Sequence, residues 1–291
     1  MRAMSITELI DATFTLYRNN FALFAGIVAV LSIPETIINM IFASQLSSTT
    51  PSGIPSNGFT TGFYAFAANR SGAEGLIGFV FSVFITGALA TAVAARFLDR
   101  PMTIGDAYLQ TGVSSFVRLF LALLVALVVV GVPVGLIFVL FLIVLLTGAS
   151  IGFPAAMVIP AVLLVIAVII GIVYVGTHFY LVPQAIVLEQ RGVFASCRRS
   201  WFLVHGYFWH VFWLLVLVNL LVSILSSVIL QVVTAVAVAS PVVATGLSGV
   251  LNILLEPISL GVVTLLYFDQ RIRKEGFDLE YQAGRMALSP Q

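Results

Sequence analysis

Six stretches of this chain are long and apolar enough to cross a membrane as helices, and that feature constrains everything else. They run approximately from Phe21 to Leu46, Leu76 to Leu98, Leu119 to Leu146, Phe153 to Val182, Phe208 to Val238 and Val242 to Phe268. A helix needs about 20 apolar residues to cover a hydrocarbon core of roughly 30 Å. In lipid a helix satisfies its own backbone hydrogen bonds. A membrane barrel needs alternating strands of about ten residues, and the run Leu119 to Val130 does not alternate. Composition closes the argument: 60% of the residues are hydrophobic and 9% charged, whereas soluble domains carry about 25% charge. The expected fold is therefore an all-α integral membrane protein, a six-span helical bundle forming a single polytopic domain over residues 1–291.

The basic residues set the expected orientation. Arg2 and Arg18 precede the first span, Arg96, Arg100 and Arg118 lie between spans two and three, and Arg191, Arg198 and Arg199 lie between spans four and five. Arg271, Arg273, Lys274 and Arg285 follow span six, so only Arg70 falls on the other side. The positive-inside rule places the basic side, with both termini, in the cytoplasm. The opposite connections are Ser47 to Gly75, Thr147 to Gly152 and the turn Ser240-Pro241. The first is rich in Ser, Thr, Gly and Pro, as a loop is, and Asn69-Arg70-Ser71 matches a glycosylation acceptor there. The opening residues Met1 to Glu8 lack the basic start and apolar run of a cleavable signal. Multi-pass insertion in a cell membrane is the expected setting.

An amphipathic stretch precedes each odd-numbered span. In the first, Ile6, Leu9, Ile10, Thr13 and Tyr17 share a helical face, and Ser5 with Glu8 forms a capping box. In the second, Thr103, Ile104 and Asp106 match Ser5, Ile6 and Glu8. In the third, Val193 falls on Ile6, Ser200 on Thr13 and Phe208 on Phe21. The chain thus reads as three pseudo-repeats of interfacial helix plus two spans, about 5–98, 103–182 and 193–270, followed by a tail 271–291. Repeats that all enter from one side are parallel repeats about an axis normal to the membrane, and their first helices are expected close to the membrane plane. Basic and aromatic side chains at that level face anionic headgroups. Arg198, Arg199, His205, His210, Arg271, Arg273 and Lys274 form the candidate patch for lipid headgroups or a protein partner.

The tail Leu265-Leu266-Tyr267-Phe268-Asp269-Gln270-Arg271-Ile272-Arg273-Lys274-Glu275-Gly276-Phe277-Asp278-Leu279-Glu280 resembles the C-terminal signature of the glycerophosphoryl diester phosphodiesterase membrane domain family. Phe268 and Gln270 depart mildly from that pattern. Arg199-Ser200-Trp201 with His205-Gly206, and Phe14 to Phe21, add weaker similarity. In that family the membrane domain is fused to a soluble catalytic barrel, which needs about 250 residues. The resemblance therefore implies a stand-alone membrane domain without that barrel, in a prokaryotic cell membrane and with no enzymatic activity.

Intramembrane polar residues are the remaining signal. Glu35 follows Pro34, and Glu256 precedes Pro257. Counted at 1.5 Å per residue, both lie about 15–22 Å from the cytoplasmic ends of their spans. Asn39 and Asn252 are one turn away, and Asn219 lies at a similar depth. Such residues usually face the bundle interior. The structural reading is hydrogen bonding between helices, at roughly 0.6 kcal/mol each. The functional reading is a site for an ion, a proton or a headgroup. His178, His205 and His210 have no metal-ligand spacing, and the single Cys197 excludes a cysteine cluster. No catalytic set, metal or cofactor is expected, and a net charge of +1 argues against nucleic acid. An accessory or scaffold component of a membrane complex is favoured narrowly over a transporter, channel or lipid-handling protein with a mid-membrane polar site. The expected partners are the bilayer, its anionic lipids and other membrane proteins.

Overall fold

The structure, a computed structural model, describes residues 2–46, 72–151, 155–236 and 241–277. The described residues hold helices and no strand. They are α1 (Ile6–Asn19), α2 (Phe21–Leu46), α3 (Gly72–Phe97), α4 (Ile104–Ile151), α5 (Ala155–Phe179), α6 (Val182–Glu189), α7 (Val193–Val204), α8 (Phe208–Val236) and α9 (Pro241–Glu275). Six of them, α2, α3, α4, α5, α8 and α9, are long and apolar enough to cross a membrane. The expected Asn69 triplet, Arg285, and the tail from Asp278 onward lie outside the described residues.

Neighbouring spans pack in a ring, α2 on α3, α3 on α4, α4 on α5, α5 on α8 and α8 on α9, which α9 closes against α2. Contact between α3 and α9 crosses the ring, and these two spans are the most buried of the six. Small residues set the closest approaches. A Cβ on Gly249 of α9 would lie 2.5 Å from Thr36 Cγ2 and 2.8 Å from Thr36 Cβ on α2, so no side chain fits there. On Gly246 it would lie 3.2 Å from Met40 Cε. Helix association in lipid depends on such close approach, because the tails are as apolar as the side chains.

The amphipathic starts form as the caps predict. Glu8 N–H donates to Ser5 Oγ, and Ser5 N–H donates to Glu8 Oε2 at 2.8 Å. Thr103 and Asp106 repeat both bonds, each at 3.2 Å. Leu9 and Thr13 are buried, as are Ala107 and Thr111, and Ser196 and Ser200. One expectation is corrected. Met4 meets Asp269, Thr13 meets Gly261 and Tyr17 meets Leu254. Those contacts extend over about 22 Å of α9 at 1.5 Å per residue, so α1 lies along α9 rather than flat across its end. The Tyr17 hydroxyl donates to Leu254 O at 2.9 Å, beside the Ile253 carbonyl that Pro257 leaves without an intrahelical donor.

Element boundaries differ at other points. The stretch expected as a loop from Thr147 is helical through Ile151, and α3 begins at Gly72 inside the expected outer loop. Within α4 the chain breaks at Gly112, whose φ of 69° suits a residue without a Cβ. The fourth span ends at Phe179, and a separate buried helix, α6, follows the turn at Tyr180-Leu181. Pro183 sits in the first turn of α6, where its missing N–H leaves no bond unmade.

Candidate functional site

A cavity of about 410 Å³ lies between α2, α3, α8 and α9. Helical periodicity builds its walls. From α2 come Ser32, Glu35, Thr36 and Asn39; from α9 come Thr245, Ser248, Gly249, Asn252, Leu255, Glu256 and Ser259. Gly78, Ser82 and Ile85 on α3 and Val222 and Ser226 on α8 complete it. These spacings of three and four residues put one face of each helix toward the same space. Gly78 makes room for the Glu35 carboxyl: a Cβ there would lie 2.9 Å from Glu35 Oε1.

The lining is rich in acceptors. Thr36 Oγ1 donates to Ser32 O at 2.6 Å, Ser82 Oγ to Phe79 O at 2.8 Å, Ser226 Oγ to Val222 O at 2.7 Å and Ser248 Oγ to Ala244 O at 2.8 Å. A hydroxyl carries one proton and two lone pairs, so these four present acceptor capacity to the cavity. No Lys, Arg or His lines it.

The cavity occupies the half of the bundle away from the termini. Thr245 and Ser248 lie in the first turns of α9, and Gly78 in the first turns of α3. On the termini side it meets the apolar core. Phe24, Ile27, Val28, Ile85, Leu89, Val218, Val262 and Leu266 belong to one packed cluster, each at most 4% exposed. Ile85 belongs to both cavity wall and core.

Four of the five polar residues singled out in the sequence meet here: Glu35, Asn39, Asn252 and Glu256. Asn219 does not. It is exposed on the outside of α8 and donates to Leu215 O of its own helix at 2.8 Å. Sequence reasoning missed the hydroxyl lining. Its signal was the recurrence of Thr245, Ser248, Asn252, Glu256 and Ser259 at helical spacing on α9.

At the termini end the candidate basic patch divides. Much of it is locked internally. Asp269, fully buried, accepts from Met4 N–H and from Arg273 Nε, both at 2.7 Å, and His210 Nε2 lies 3.5 Å away. Arg273 also donates to Met4 O at 2.5 Å. Glu189 is a second hub. Its Oε1 accepts from Arg199 Nε at 3.0 Å and Nη2 at 2.8 Å and from the Tyr267 hydroxyl, and Arg191 Nε lies 2.5 Å from Oε2. Arg199 reaches across to Glu275, which also accepts from Arg271 Nε, one turn back on α9, at 3.3 Å. Bonds to Glu275 and Glu189 hold the Arg199 guanidinium still more firmly protonated than usual, against its partial burial. These residues tie α1, α6, α7 and α9 together. Sequence reasoning missed Glu189, although Glu189-Gln190-Arg191 matches Asp269-Gln270-Arg271.

Arg198 and His205 remain exposed. Arg191, Phe194, Ala195, Arg198, Arg199 and Phe202 line a groove of about 610 Å³. Lys274 Nζ lies 5.2 Å from the Phe202 ring. His178 is buried in an aromatic stack, 4.2 Å from Trp201 and 4.4 Å from Tyr174. Among the described residues no cluster of His, Cys, Asp and Glu could hold a metal ion.

No curated protein and no solved structure matches this chain. Residues 4–269 match the family described as Domain of unknown function (DUF7847). That match takes in five spans whole and the sixth as far as the buried Asp269, and the chain belongs to this family.

Proposed function

We propose that this chain is a multi-pass membrane protein of the transport or lipid-handling class, which takes a polar ligand into the cavity between α2, α3, α8 and α9. The observation that carries the reading is the cavity itself, about 410 Å³ with Glu35 and Glu256 in its wall. Ligand sites commonly fall in the range of about 300–1,000 Å³. A scaffold subunit needs helix contacts but no such space, so the accessory reading now ranks second. Its support is the exposed surface of α7, where Phe194 is 84% exposed beside Arg198.

The architecture proposed with this function is three parallel pseudo-repeats, with both termini in the cytoplasm of a prokaryotic cell. Equivalent starts support it. Ser5, Thr103 and Gly192 each accept from the N–H four residues on, Leu9, Ala107 and Ser196, at 3.0, 3.1 and 2.9 Å. Those three residues are buried, and so are the residues one turn later. The likeness of the tail to the glycerophosphoryl diester phosphodiesterase membrane domain is part of the same proposal. In it the tail serves as a clamp through Tyr267, Asp269, Arg271 and Arg273 rather than as part of an enzyme.

Cysteine accessibility tests the function. In a Cys197→Ser background, Ser82→Cys and Ser248→Cys should react with a membrane-impermeant thiol reagent from the side opposite the termini. Ala88→Cys, in the apolar core, should not react from either side. Cavity cysteines that stay unmodified from both sides would return the protein to the scaffold class.

A further inference from the structure

We propose that the cavity ligand is a small organic ammonium ion, held at Glu35 and Glu256. This rests on the cavity reading above and names the chemistry it selects. Three observations converge. The wall carries two carboxyl groups from different helices and no basic side chain. The hydroxyls of Thr36, Ser82, Ser226 and Ser248 donate to their own helices, so they meet a ligand as acceptors. The volume is about 410 Å³, far more than a desolvated metal ion gripped by oxygens at about 2.3–2.6 Å would occupy.

Each observation removes an alternative. An acceptor-rich wall with two carboxyls disfavours an anionic group, phosphate or carboxylate, placed against it, which leaves a donor-rich cation as the group it holds. An ammonium group brings three N–H donors, and its bonds to carboxylates are charge-assisted. The space left over holds the organic remainder of the ligand, with Asn39 and Asn252 available to either a donor or an acceptor on it. The apolar floor of Phe24, Ile27, Val28 and Leu89 closes the termini side, so the ligand enters from the opposite side or from the lipid.

The test uses purified full-length protein and ethanolamine as probe. Ethanolamine at millimolar concentration should raise the thermal midpoint, while choline, which lacks N–H donors, sodium, phosphate and acetate should not. Ethanolamine should bind the Glu35→Gln/Glu256→Gln variant at least about tenfold more weakly, as expected when charged hydrogen bonds become neutral. A second measurement leaves both glutamates intact: ethanolamine should slow thiol labelling of Ser82→Cys. Nanodiscs of phosphatidylethanolamine against phosphatidylcholine separate the sources. Slower Ser82→Cys labelling in the former alone assigns a lipid amine headgroup; protection by soluble ethanolamine in both assigns a free amine. A shift produced by sodium or phosphate instead, or no protection by any amine, overturns the proposal. Labelling of Ser82→Cys without ligand keeps the cavity reading standing in that event.

Discussion

Replacing Gly249 by Ala probes the α2–α9 contact that frames the cavity. The new methyl group would meet three atoms of Thr36, with Cγ2 at 2.5 Å and Cβ at 2.8 Å. Thr36 cannot yield easily, because its Cβ is fixed to the α2 backbone and its branched side chain is stiff. The helices must therefore separate. Overpacking of this kind costs about 1–3 kcal/mol, against a gain of up to ~1 kcal/mol from replacing glycine within a helix. A net loss of up to about 2 kcal/mol remains, and a gap of about 1–3 kcal/mol from a glycine replaced without a clash. Gly135→Ala on α4 is the control, since its methyl group would meet nothing within 4 Å. The assay is equilibrium unfolding in mixed micelles with increasing dodecyl sulfate. Adding Thr36→Gly to Gly249→Ala should recover most of the loss, because it removes every atom in the clash. If Gly249→Ala unfolds no earlier than Gly135→Ala, α2 and α9 do not meet at this point and the reasoning fails.

The termini-end clamp gives further expectations. Asp269→Ala strands Arg273 and the Met4 N–H, and should cost about 3–5 kcal/mol in the same assay, as broken buried pairs do; an unchanged midpoint would remove Asp269 as the anchor of α1. Arg199→Lys cannot span Glu189 and Glu275 with a planar fork and should lose about 1.5–3 kcal/mol, the worth of a charged hydrogen bond. Equal stability of Arg199→Lys and the unaltered protein would contradict that bridge. Orientation is read by labelling intact cells carrying Ser56→Cys or Ser289→Cys, both outside the described residues. External reagent should reach the first and not the second.

How far the sequence reaches depends on whether a signal is local. Ser5 with Glu8 and Thr103 with Asp106 announce their helices because a cap is made within four residues. Glu35 and Glu256 are legible because a carboxyl facing hydrocarbon lacks a partner. Asn219 shows the limit of that logic. It satisfies itself on Leu215 O, so its depth says nothing of its direction, while Val218, one position earlier, turns inward. The hydroxyl wall was hidden because Ser and Thr also occur on spans as bonds to their own carbonyls, and only the meeting of α2 with α9 gives them a common space. His210 was grouped with headgroup ligands on charge alone, yet it faces Asp269, which lies far along the chain. The break before α6 was legible in Pro183, since a residue before proline disfavours helix.

The central claim is that the polar face shared by α2 and α9 lines a space open to water. Spin labels measure this directly. A nitroxide at Ser248 should relax strongly with a water-soluble nickel chelate. One at Val128, which is 60% exposed on the outside of α4, should respond to oxygen instead, as a lipid-facing site does. One at Ala88, fully buried, should respond to neither. If Ser248 behaves like Ala88, the bundle is dry and the cavity is not a binding site; if it behaves like Val128, the polar faces of α2 and α9 point into lipid and the packing described here is wrong.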